Sequence, residues 1–86
     1  MYKVLKRDGS LQDFDWKKLV NGLLKSGATE EEAERVATQV EAWVSTVAVD
    51  GVIKSYDLHV RVLESIREIN PAAAKNFEDF KKPEPQ

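Results

Sequence analysis

The stretch Tyr2-Lys3-Val4-Leu5-Lys6-Arg7-Asp8-Gly9 decides how the chain begins to fold. Tyr2, Val4 and Lys6 alternate with Lys3, Leu5 and Arg7, which is the period of a strand, and Asp8-Gly9 is a strong signal for a two-residue turn. Ser10 to Phe14 then reads as the return strand. An isolated hairpin is marginal in water, so this one has to lie on something larger.

That larger body is helical. Trp16, Leu19, Val20, Leu23 and Leu24 recur at helical spacing, predicting a first helix from Trp16 to Lys25 with Asp15 or Asp13 as its cap and Gly27 at its end. Thr29 and Glu32 form a capping box for a second helix. Ala33, Val36, Ala37, Val40, Trp43, Val44 and Val47 make its stripe, and Asp50-Gly51 breaks it. Val52 and Ile53 add a short strand beside the hairpin. Ser55 reads as the N-cap of a third helix with Leu58, Val62, Ile66 and Ile69 inward, and Leu63 beside them. Asn70-Pro71 stops that helix and opens a fourth, with Ala73, Ala74, Phe77 and Phe80 on its inner side. The expected fold is α+β: a small four-helix bundle capped by an N-terminal β-hairpin with a short third strand. Residues 3–82 are read as the domain and 83–86 as a tail or linker.

Composition narrows the function. A chain of 86 residues holds one domain and no second lobe around a catalytic cleft. With no cysteine and one histidine it has no thiol nucleophile, disulfide or usual zinc site. Phosphate-binding glycine loops, dinucleotide fingerprints and nucleophile elbows are missing, so no enzymatic activity is expected. No segment has the length of a membrane span or the form of a secretion signal, and cytoplasmic residence is expected. The formal net charge of -2 argues against nucleic acid as a partner, yet leaves room for a small anion at a local basic cluster.

Several residues can carry such binding. Strand alternation puts Lys6 on the side of Val4 and Arg7 on the opposite face, so that only one of the two cations points inward. A valine beside a lysine suits a nucleotide, the apolar residue against a base and the ammonium against phosphates. A solvated hairpin tip is the plainer account of the same charges. Ser55 and His59 share a face one helical turn apart, near amides that attract anions, although a serine there can simply cap. Lys17 and Lys18 oppose the dipole of the first helix, a local misfit. Asp57 is expected to face solvent. Trp16, Trp43, Phe77 and Phe80 read as core.

Together, Val4-x-Lys6-Arg7-Asp8-Gly9, Phe14-Asp15 and Lys18-Leu19 resemble the opening of the ATP-cone family. Ser55-x-Asp57-Leu58-His59 is similar to the segment before that family's third helix, and Ala74-x-x-Phe77-x-x-Phe80 to its closing helix. The resemblance implies a regulatory domain that binds one or two adenine nucleotides, ATP or dATP, usually with Mg2+. It implies control of a host or partner, such as ribonucleotide reductase, through oligomerisation, and leaves room for a homo-oligomer of the chain itself. Carried over, it places Val4 at the base and Lys6, Arg7 and Lys18 at the phosphates. Ser55 and His59 fall at the phosphate or ribose end, and Lys81 or Lys82 closes the site. Gln12 stands where some members have an acidic residue, which weakens the adenine contact or leaves it to the backbone. Phenylalanines replace the usual tyrosines of the fourth helix.

The chain ends just after the resemblance, as an excised regulatory domain or a free-standing one would. Two other readings stand beside the nucleotide sensor. One is a protein-interaction module with the cone fold that has lost nucleotide binding, which Gln12 favours. The other is a transcriptional regulator, against which the missing cysteines and acidic charge argue.

Overall fold

The computed structural model describes residues 2–80. The chain runs through β1 (Lys3–Leu5), β2 (Leu11–Asp13), α1 (Trp16–Lys25), α2 (Glu30–Val47), β3 (Val52–Lys54), α3 (Ser55–Ile69) and α4 (Pro71–Phe80). The protein is α+β, with four helices and a three-stranded sheet in the order β2-β1-β3. The expectations for the Phe80 side chain, Lys81 and Lys82 lie outside the described residues.

The helix ends follow their local chemistry. Asp15 caps α1 by accepting from the Lys17 and Lys18 amides. At its far end the Ala28 amide donates to the Leu23 carbonyl and the Gly27 amide to the Leu24 carbonyl, closing a turn that needs Gly27 at φ +107°. The capping box of α2 forms as expected: the Glu32 amide donates to Thr29 Oγ1 (3.1 Å) and the Thr29 amide to Glu32 Oε1 (2.9 Å). Asn70 caps α4 through the Ala73 amide (3.1 Å) and also donates its Nδ2 to Glu32 Oε1 (3.0 Å). One side chain thus ties the start of α4 to the start of α2. Those donors hold the Glu32 carboxyl below the usual carboxylate range, the Thr29 amide contributing most. Asn76 Nδ2 donates to the Ser26 carbonyl (2.9 Å), joining α4 to the end of α1.

The core gathers the predicted stripes. Leu23, Ala33, Val36, Val40, Val44, Val62, Leu63, Ile66, Ala73, Ala74 and Phe77 are buried. They are joined from the sheet by Val4 and Ile53, neighbours in the parallel β1–β3 pairing. Trp16 and Trp43, expected in the core, are only half-buried at its margin, and Val47 is exposed.

The two Asp-Gly dipeptides make turns of different lengths, and the first is longer than the sequence suggests. Strand register pairs Leu5 with Leu11, and the Lys6 amide donates to the Ser10 carbonyl (2.8 Å). Three residues, Arg7-Asp8-Gly9, therefore make the turn. The Gly9 amide donates to the Lys6 carbonyl (3.0 Å), and Gly9 lies at φ +90°. The two-residue hairpin turn is instead Asp50-Gly51, where φ is +53° and +75° and the amides of Val49 and Val52 each donate to the other's carbonyl. Asp50-Gly51 does more than break α2: it folds the chain directly into β3. A further correction concerns Ser55, which is the first residue of α3 and not its cap. Lys54 occupies the cap position, and no side-chain hydrogen bond caps the helix.

Candidate functional site

Parallel pairing of β1 and β3 brings two distant segments together. Lys3 lies beside Val52, Val4 beside Ile53 and Leu5 beside Lys54. Lys6 and Ser55 directly follow the last pair of this register, so the end of β1 lies beside the start of α3. Between them opens a groove of about 850 Å³.

Val4, Lys6, Arg7, Gln12, Lys18, Ser55 and His59 all line this groove. Seven of the eight residues singled out in the sequence are thus brought together from β1, the turn, β2, α1 and α3; Lys81 is outside the described residues. Strand alternation accounts for Val4, Lys6, Ser10, Gln12 and Phe14, which share one face. Arg7 was expected on the opposite face. It also lines the groove, because it sits in the three-residue turn where alternation no longer applies. Lys17 and Asp57 are exposed away from the groove wall.

Charge in the groove is unevenly engaged. Asp8 accepts from the Ser10 amide (2.9 Å) and hydroxyl (2.6 Å), and these bonds hold its carboxyl below the usual range. Asp13 is paired with Lys3 across the hairpin, and Asp15 caps α1. Among the described residues, Lys6 and Lys18 take no ion pair. The carboxylates near the groove are therefore occupied by local structure, while two ammonium groups remain open to an incoming anion. Ser55 adds a hydroxyl that no cap uses, at a helix start that no side chain caps.

The floor is apolar: Val4, Leu58, Val62 and Phe77. The His59 ring stacks on Phe77 with centroids 5.8 Å apart and planes 23° from parallel. Burial lowers the His59 pKa below the ordinary histidine value, and the nearby Glu78 charge opposes this without overcoming it. The buried Nε2 of His59 has no hydrogen-bond partner among the described residues. Sequence reasoning missed Asp8, Ser10, Tyr56 and Phe77 as groove residues. Phe77 meets His59 only because α4 folds back along α3, which no local spacing reveals. The Asp8–Ser10 contact had a signal, since Asp-x-Ser favours a local side-chain-to-backbone bond.

A second hollow of about 460 Å³ lies between the start of α2 and the end of α3, lined by Glu31, Glu32 and Glu68 with Arg35. Arg35 is 3.6 Å from Glu31. Its carboxylates would repel a phosphate, and the larger groove is the better anion site. Among the described residues no group of three histidines or carboxylates could hold a metal, and no helix is long and apolar enough to cross a membrane.

A family model described as the ATP cone domain matches residues 2–81. Among characterised proteins, the transcriptional repressor NrdR of Clostridium acetobutylicum is 35% identical over 78 residues, covering 86% of this chain and 51% of the repressor. The chain spans about half the length of that relative.

Proposed function

Because the chain belongs to the ATP-cone domain family, we propose that it is a regulatory module that binds ATP or dATP in the groove between the hairpin and α3. The observation that carries this reading is the convergence, over an apolar floor, of two ammonium groups without ion pairs and an uncapped helix start. In it, the adenine lies against Val4, with Gln12 beside it. Lys6, Arg7 and Lys18 face the phosphates, and Ser55 and His59 meet the phosphate or ribose end. Among the described residues no group of three carboxylates or histidines could hold a metal, so in this reading Mg2+ arrives on the phosphates. In this reading the module senses its ligand without transforming it. Its output is a changed association with a host or partner, of which ribonucleotide reductase is the one the family resemblance points to, or between copies of the chain.

The test is calorimetric titration and thermal melting with ATP, dATP and GTP. ATP and dATP are expected to raise the melting temperature by mass action, and GTP to raise it less. The absence of any shift with either adenine nucleotide at millimolar concentration refutes the proposal.

Similarity to a transcriptional repressor favours a second reading, in which the nucleotide sensed here governs a DNA-binding assembly. The acidic net charge of this chain makes it the sensing part of such an assembly and not its DNA-contacting part. A salt-sensitive gel shift by this chain alone would contradict that division of labour.

A further inference from the structure

Asp8 carries a charge that its structural task does not require. Its Oδ1 accepts from both the amide and the hydroxyl of Ser10, at 2.9 and 2.6 Å. With Gly9 at φ +90°, these bonds close the three-residue turn that carries Arg7 and follows Lys6. The task needs one acceptor oxygen, which an asparagine also has. Aspartate adds a full negative charge on the wall of a groove also lined by Lys6, Arg7 and Lys18. That charge repels the very anions the cations attract, and nothing in the turn geometry calls for it.

We propose that Asp8 is a specificity-determining residue of the nucleotide site: its hydrogen bonds to Ser10 hold the cationic tip in place, while its charge penalises each phosphate added to the ligand. This inference rests on the adenine-nucleotide reading above. It makes the site less steep in its preference for triphosphate over diphosphate than the cations alone would set. Adenosine, which has no phosphate, does not feel the penalty. Because Asp8 is exposed, the repulsion is moderate and screened by salt.

The experiment is calorimetric titration of the full chain and of Asp8→Asn and Asp8→Ala with ATP, ADP, adenosine and inorganic tripolyphosphate. Asp8→Asn keeps the acceptor and removes the charge. It is expected to bind ATP about fivefold more tightly, ADP by a smaller factor and adenosine unchanged, with the gain largely lost near 1 M salt. Asp8→Ala loses the acceptor as well and is expected to bind ATP more weakly than Asp8→Asn. An Asp8→Asn protein whose ATP affinity equals that of the parent, or whose gain is the same for adenosine as for ATP, overturns the inference and leaves the nucleotide reading intact. A parent that binds neither ATP nor ADP overturns the nucleotide reading. Tripolyphosphate separates the two failures: Asp8→Asn must bind it more tightly than the parent whatever the fate of adenine recognition.

Discussion

Replacing Lys6 by alanine removes an ammonium that makes no ion pair among the described residues, yet stands where β1 meets the first turn of α3. The ammonium's one internal effect among the described residues is a weak attraction to the exposed Asp8 carboxyl, so the change should be read in binding far more than in folding. A hydrogen bond to a charged group contributes roughly 1.5–3 kcal/mol when shielded from water. Lys6 is exposed, and discounting for solvent leaves about 1–1.5 kcal/mol, or close to tenfold in Kd. At ATP near 100 times the parent Kd, mass action stabilises the parent by about 2.7 kcal/mol and the variant by about 1.4 kcal/mol. For a domain of this size each kcal/mol is worth about 4–8 °C, so the variant should show roughly half the ATP-induced rise in melting temperature. Trp16 and Trp43, both half-buried, serve as intrinsic fluorescence reporters of unfolding, and calorimetry supplies the affinities. An ATP affinity within twofold of the parent refutes the assignment of Lys6 to the phosphates. A large loss of stability without ligand refutes the premise that its role is not structural.

Other outcomes follow from the same geometry. Ser55→Ala should change stability by less than about 0.5 kcal/mol, because the hydroxyl caps nothing, while weakening ATP binding severalfold; urea unfolding and calorimetry report the two effects separately. Asn70→Ala should cost about 2 kcal/mol in urea unfolding, since the α4 cap and the bond to Glu32 are lost together. The folded pKa of His59 lies below its unfolded value of 6.5, so the unfolded chain takes up the proton first. This contribution to stability is present above pH 6.5 and is lost as the pH falls toward the folded value. ATP affinity should run the opposite way, rising as His59 becomes a cation beside the phosphates. His59→Gln should flatten both pH profiles measured by melting and calorimetry.

What could be read from the sequence was whatever one segment determines by itself. The bounds of α1 follow from Asp15 and Gly27, and the start of α2 from Thr29 and Glu32, because each cap bonds within four residues of itself. The turns were not legible in this way. Asp8-Gly9 and Asp50-Gly51 are the same dipeptide, and only the pairing of the flanking strands decides how many residues each turn contains. Val49 bonds Val52 and leaves two residues between them, whereas Lys6 bonds Ser10 and leaves three. The extra residue is Arg7, and it is why both cations reach the groove. Ser55 misled for a related reason: serine is a good cap, but β3 runs to Lys54 and leaves no residue between strand and helix for Ser55 to occupy as a cap. The individual groove residues were legible as types at suggestive spacings. Their convergence was not, since it depends on a parallel pairing between segments separated by two helices.

That pairing also determines what a ligand in the groove can do. In the proposed site the groove's cations sit on the hairpin and α1, while Ser55 and His59 sit on α3, so a polyphosphate bound there would tie together elements otherwise joined at this seam by strands of three residues each. Such short strands contribute few ladder bonds, and the seam is expected to open more readily than the helical core. The core of α2, α3 and α4 is buried and bonded whether or not the groove is filled, through Val36, Val40, Ile66 and the Asn70–Glu32 contact. Under the proposed function, binding free energy is expected to go into ordering the seam and reversing the charge of its outer rim, with the helical body unchanged. A partner can sense the nucleotide only through contacts that differ between the empty and filled states. In this fold those differences lie at the hairpin tip and the first turn of α3. A partner that responds to the ligand must touch that rim, and one that docks only on the exposed faces of α2 would be blind to it.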